Sequence, residues 1–120
     1  MDAKTVLIVD DSVYMRAQIK SSLVEKGFEV VGEAKDGESA IDMAMETNPD
    51  LITLDNILPD MMGLDVLKTL KEGGLESKIL MISAVGQDAV IAKSREYGAT
   101  DYIVKPFTAE KLIVVVESIS

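Results

Sequence analysis

The chain has 120 residues, 48% of them apolar and 28% charged, which is enough for one hydrophobic core and one domain, 1–120. It contains no cysteine and no histidine, so disulfides, thiolate zinc sites, thiol nucleophiles and imidazole bases are excluded. A net charge of −9 argues against direct binding to nucleic acid and fits a metal cation or a basic patch on a partner protein.

Taken in order, Met1-Asp2-Ala3-Lys4-Thr5 lacks the basic-then-apolar pattern of a secretion signal. No later stretch is long and apolar enough to insert in a membrane, and a cytoplasmic location is expected. Val6-Leu7-Ile8-Val9 is the first of five strand-length apolar runs; Phe28 to Val31, Leu51 to Leu54, Ile79 to Ile82 and Tyr102 to Val104 follow. Between them lie segments with helical spacing. Met15, Ile19, Ser22 and Leu23 share one face and end at Gly27. Ala40, Ile41, Ala44 and Met45 form the second face, closed by Asn48-Pro49. Val66, Leu67 and Leu70 form the third, ahead of Gly73-Gly74. Val90, Ile91, Ser94 and Tyr97 form the fourth, ahead of Gly98. The segment Leu112 to Val116 is β-branched and reads locally as strand. Thr108 as a cap, Glu110 in a first turn and the regular alternation predict a helix there instead.

Strand and helix thus alternate five times, which predicts an α/β fold with a parallel sheet covered on both faces. Glu29 and Glu33 interrupt the second run and place it at an edge. In such sheets ligands bind beyond the carboxyl ends of the strands. Beyond the first run stand Asp10, Asp11 and Ser12, beyond the third Asp55, beyond the fourth Ser83 and Ala84, and beyond the fifth Lys105 and Pro106. Clustered carboxylates repel one another and need a cation, and an all-oxygen donor set favours Mg2+ or a similar hard ion. A carboxylate can also be a nucleophile that forms an aspartyl phosphate. Lys105 and the Ser83 hydroxyl would then face the phosphoryl oxygens. Each residue alone has an ordinary reading: Ser12 as a helix cap, Asp55 as a turn former before Pro59, Ser83 as a loop serine, Lys105 as a solvated amine. Their joint placement after four strands favours the chemical reading.

These motifs are similar to those of the receiver domains of two-component response regulators, over essentially the whole chain. Val6 to Ser12 resembles the family's acidic-pair strand, and Leu54-Asp55 with Pro59 and Gly63 its phosphoacceptor segment. Ser83-Ala84 and Asp101 to Phe107 complete the set. The likeness is strongest to single-domain chemotaxis regulators of the CheY type, through Ser83 to Gln87 and Gly98-Ala99. The resemblance implies a flavodoxin-like, doubly wound (βα)5 fold with strand order 2-1-3-4-5. It implies Asp55 as phosphoacceptor, with Mg2+ on Asp11, Asp55 and the backbone carbonyl of Ile57 and on Asp10 mainly through water, and with Lys105 and Ser83 on the phosphoryl group. Tyr102 would change rotamer as Ser83 moves. The implied partners are a histidine kinase as phosphodonor, an output protein such as a flagellar motor or chemotaxis component, and a phosphatase.

The chain would be a switch and not an enzyme, catalysing only its own phosphorylation and dephosphorylation. A receiver cut from a longer, for example transcriptional, regulator and a phosphorelay intermediate are alternatives. An aspartyl-phosphate phosphatase is disfavoured because Ile57 stands where a second acid-base carboxylate is usual. An FMN module is disfavoured because Asp10 and Asp11 would repel its phosphate. Asn56 and Met62 depart from the commonest family pattern. Ile57 and Val85, both apolar, imply a long-lived phosphorylated state. The readout surface would be the fourth helix, fifth strand and fifth helix, and exposure of Val114 or Val115 would add a docking role.

Overall fold

The computed structural model describes residues 4–120, so the leader reading at Met1 to Ala3 lies outside the described residues. The elements are β1 (Thr5–Val9), α1 (Val13–Glu25), β2 (Glu29–Ala34), α2 (Gly37–Thr47), β3 (Leu51–Asp55), α3 (Gly63–Glu72), β4 (Lys78–Ala84), α4 (Asp88–Glu96), β5 (Asp101–Lys105) and α5 (Ala109–Ile119). The strands form one parallel sheet in the order β2-β1-β3-β4-β5. This is the flavodoxin-like doubly wound arrangement. β2 lies at an edge, as its glutamates require, but runs Glu29–Ala34 and not Phe28 to Val31. Phe28 packs against the core instead.

The sheet separates two cores by the alternation of side chains along each strand. Leu7, Val9, Ile52, Leu54, Ile79 and Met81 face Ala40 and Ala44 of α2 and Val66, Leu67 and Leu70 of α3. Val6, Ile8, Leu80, Ile82 and Ile103 face Ile19 and Leu23 of α1 and Leu112, Val115 and Val116 of α5. Each fully buried Leu or Ile of this kind stabilises the fold by about 2 kcal/mol. That pattern decides the ambiguous last segment. Leu112, Val115 and Val116 share the buried stripe of a helix, Val114 is exposed, and the Thr108 hydroxyl accepts the Lys111 N–H at 3.1 Å as the cap. Met45 departs from expectation: it is exposed and lies across the end of α3, beside Gly73.

Two tight contacts fix the loops around the sheet's carboxyl rim. A Cβ on Gly63 would collide with the Asp55 carbonyl and lie 2.8 Å from the Asn56 Cα, so only glycine lets α3 start this close to β3. Asp60, in the β3–α3 loop, accepts the Gly37 and Glu38 N–H groups at 2.8 and 3.0 Å. Those two bonds at the start of α2 hold the Asp60 carboxyl below its ordinary value. The loop that follows Asp55 is therefore tied to α2 as well as to α3.

Candidate functional site

Strand order reverses between β1 and β3, because the chain winds outward from β1 in both directions. Side chains at the carboxyl ends of these two strands therefore meet over a crevice. Asp10 follows β1 and is fully buried; Asp55 ends β3 and is nearly so; Asp11 is exposed to water. One oxygen from each of the three carboxylates lies within 4.8 Å of the others. The three acids expected to converge do converge.

Lys105 reaches this cluster from the end of β5. Its Nζ lies 3.2 Å from Asp10 Oδ2 and 3.2 Å from Asp55 Oδ1. Strand register explains the reach. Asp55 pairs with Ile82, Ile82 with Ile103, and Lys105 stands two residues beyond Ile103 on the same face. Asp10 Oδ1 also accepts the Ser12 N–H at 2.9 Å, while Ser12 Oγ caps α1 by accepting the Met15 N–H at 3.2 Å. Arg16 Nη1 donates to the Asp10 carbonyl at 2.6 Å, and Arg16 Nε stands 3.5 Å from Glu33 on β2. Arg16 thus clamps the acidic loop, a role the sequence reading missed. Its signal was modest: an arginine one helical turn after the Ser12 cap, facing back toward the loop.

The electrostatics follow from this packing. Burial, then the neighbouring Asp10 carboxylate, push the Asp55 carboxyl up from 3.8 to about 6, against the pull of Lys105. Burial draws the Lys105 ammonium down, but the Asp55 and Asp10 carboxylates outweigh it and hold it above the ordinary lysine value. At neutral pH Asp55 is an ionised, poorly hydrated carboxylate beside a fixed cation, which is a competent nucleophile.

Ser83 makes no hydrogen bond to this cluster. Side-chain alternation along β4 places Ser83 on the face of Ile79 and Met81, across the sheet from the face of Asp55. Ser83 is buried, and its Oγ has no hydrogen-bond partner. Tyr102 is half-buried on that same face, packed against the core, with the Arg95 guanidinium 5.1 Å from its ring centroid. Ile57 lies in the β3–α3 loop, exposed, and pairs with Met62 in an isolated antiparallel bridge. Val85 is exposed beyond β4. Asp60 as an anchor of that loop was also missed, since it contacts residues 22 and 23 positions away and no local pattern announces it.

The donor set fits Mg2+. It offers only oxygen, two buried carboxylates and one exposed one, with open water on the Asp11 side. The orphaned Ser83 hydroxyl is the kind of donor a phosphoryl oxygen would satisfy.

Comparison with known proteins identifies the family. The family profile described as "Response regulator receiver domain" matches residues 6–117. Chemotaxis protein CheY of Bacillus subtilis is 43% identical over 92% of this chain and 92% of its own length. Chemotaxis protein CheY of Thermotoga maritima is 38% identical over 98% of each. Among solved structures, the CheX-CheY-BeF3-Mg2+ complex from Borrelia burgdorferi matches with a TM-score of 0.91 and 34% identity, over 96% of this chain and 87% of that one. Matching motifs, topology and acidic rim therefore agree, and the chain belongs to the receiver-domain family of response regulators.

Proposed function

We propose that the chain is a CheY-like phosphorylation switch in which Asp55 takes a phosphoryl group from a phosphohistidine on a separate histidine kinase. The observation that carries this reading is Lys105 bridging Asp10 and Asp55 within a cluster of three acids. Asp10, Asp11, Asp55 and the Ile57 carbonyl would hold Mg2+, which supplies positive charge to the phosphoryl oxygens. Asp55 Oδ2 attacks phosphorus, an O–P bond forms, and the P–N bond to the donor imidazole breaks. The imidazole leaves with its electron pair and takes a proton from water. Lys105 then exchanges a carboxylate contact for a phosphoryl oxygen, and Ser83 turns to donate to another. Tyr102 follows the space that Ser83 leaves.

The surface of α4, β5 and α5 would carry the message to a cytoplasmic output partner, such as a chemotaxis or flagellar-motor component. Val114, 62% exposed on α5, gives that surface an apolar anchor, whereas Val115 is buried. No helix among the described residues is long and apolar enough to cross a membrane. A receiver belonging to a longer regulator is the second reading. It is favoured by 45% identity to the protein-glutamate methylesterase/protein-glutamine glutaminase of Pyrococcus horikoshii, over 84% of this chain but 28% of that protein.

The test is incubation with a small acyl phosphate and Mg2+, followed by intact-mass measurement. Wild type should gain one phosphoryl group and Asp55→Asn none. An adduct on both would show the acceptor to be another residue. A second expectation concerns lifetime. Ile57 and Val85 are apolar and exposed beside the site, where neither can orient a hydrolytic water. The phosphorylated state should decay slowly, and Ile57→Asn should hasten that decay severalfold. A time course unchanged by the substitution removes Ile57 from the account.

A further inference from the structure

Asp11 is the least supported member of the acidic cluster. Lys105 stands 3.2 Å from one oxygen each of Asp10 and Asp55, and the Ser12 N–H donates to the other oxygen of Asp10 at 2.9 Å. Among the described residues, no hydrogen bond or ion pair holds the exposed Asp11 carboxylate, yet one of its oxygens lies within 4.8 Å of oxygens of both neighbours. Like charges at that spacing repel, so the direction of the Asp11 side chain depends on its backbone. That backbone is held from two sides. The Asp10 N–H donates to the Ala34 carbonyl of β2 at 3.0 Å. The Asp10 carbonyl, which lies in the rigid peptide plane leading into Asp11, accepts Arg16 Nη1 at 2.6 Å.

Arg16 is an unexpected residue at this place. It is the fourth residue of α1, its N–H closes the first turn onto the Ser12 carbonyl at 3.0 Å, and a cation there opposes the helix dipole. Its side chain leans back toward the helix start, as helical side chains do, and is only 14% exposed. Glu33 on β2, 3.5 Å from Nε, offsets its charge, and Lys20 shares that Glu33 at 3.4 Å. We propose that Arg16 is a positioning residue for the metal: by gripping the Asp10 carbonyl it aims the Asp11 carboxylate into the cluster that would take the cation. Its charge works against metal binding and its geometry works in favour, so the two roles predict opposite signs. A guanidinium acting through charge alone repels Mg2+, and its removal tightens binding. A guanidinium that places a ligand weakens binding when removed, by about 10–100-fold for outer partners of metal ligands.

The inference rests on the Mg2+ reading of the cluster, so the whole chain is measured both with the metal and without it. Arg16→Met keeps the apolar stem and removes the guanidinium. Lys20→Met removes a cation from the same Glu33 without touching the acidic loop. Calorimetric titration with Mg2+ should give a Kd about tenfold higher for Arg16→Met and within about twofold of wild type for Lys20→Met. In the metal-free protein, backbone amide NMR relaxation should show Asp11 rigid in wild type and in Lys20→Met, with an order parameter of about 0.85, and falling toward about 0.6 in Arg16→Met. An unchanged or lower Kd in Arg16→Met overturns the proposal, as does an equal loss of affinity in Lys20→Met or an Asp11 amide equally ordered in all three proteins. A wild type that takes up no Mg2+ strikes the metal reading, and the relaxation measurement then decides whether Arg16 fixes Asp11. Should Arg16→Met fail to fold, Arg16→Lys keeps the charge, loses the planar fork and carries both measurements with the same expected directions.

Discussion

Lys105→Met should lose about 3 kcal/mol of stability at pH 7.5 in the absence of magnesium, and should lose its phosphoryl adduct as well. Methionine keeps the apolar stem of the side chain and removes only the ammonium. That ammonium stands 3.2 Å from an oxygen of Asp10 and 3.2 Å from one of Asp55, and Asp10 has no exposure at all. Removing one partner of a buried pair typically costs about 3–5 kcal/mol, because the remaining charge keeps its desolvation cost without its compensation. The lysine side chain is 27% exposed, so part of the interaction is already screened, which brings the expectation to the lower end.

The direction of the pH dependence follows. Without the ammonium, Asp55 is pushed further above its ordinary value, so the deficit grows as pH rises and shrinks in mild acid, where the proton replaces the lysine. Saturating Mg2+ should restore much of the loss, since it binds the folded carboxylate cluster and not the unfolded chain. Urea unfolding at two pH values with and without Mg2+ measures all of this. A variant as stable as wild type at pH 7.5 without metal would mean the lysine does not compensate the cluster. Recovery of stability by Mg2+ without recovery of the adduct would separate the lysine's structural duty from its part in phosphoryl transfer.

The parts of this arrangement legible in the sequence are those set by strand burial. Five apolar runs announce strands covered on both faces, and the residue after each run falls on the rim, so the sequence by itself brings Asp10, Asp11, Asp55 and Lys105 to one place, where the structure has them. The fifth helix needed tertiary context, since Leu112 to Val116 favours strand locally and is helical because three of its apolar residues find the core of α1 and the sheet. What was not legible depends on register. Ser83 and Asp55 both end strands, but they sit on opposite faces, which no composition or spacing reveals. Asn56 reads as a harmless departure from a pattern, yet the fold buries it with neither end of its amide hydrogen-bonded. Arg16 and Asp60 act through backbone groups far along the chain or one helical turn away, and such partners have no sequence signature.

Asp55→Asn should be more stable than wild type at pH 7.5 without magnesium, by on the order of 3 kcal/mol. Folding raises the Asp55 carboxyl from 3.8 to about 6, chiefly by burial and secondly by Asp10. Below pH 3.8 the group is neutral in both the folded and unfolded chain, and the site carries no penalty from it. Between 3.8 and about 6 the unfolded chain ionises while the folded one resists, and stability falls as pH rises. Above about 6 the folded carboxylate is ionised and the full penalty is present. Asparagine resembles the protonated acid in shape and has no proton to lose, so the variant should match wild type in acid and diverge from it through this window. Mg2+ should close the gap by stabilising wild type and adding little to the variant. Identical pH profiles for the two proteins would contradict the expectation directly. The sign has a chemical meaning. An isolated carboxylate at this spot is less stable than a protonated one, so binding a cation relieves the repulsion, and a phosphoryl group, which adds negative charge, would raise the demand for that cation and for Lys105.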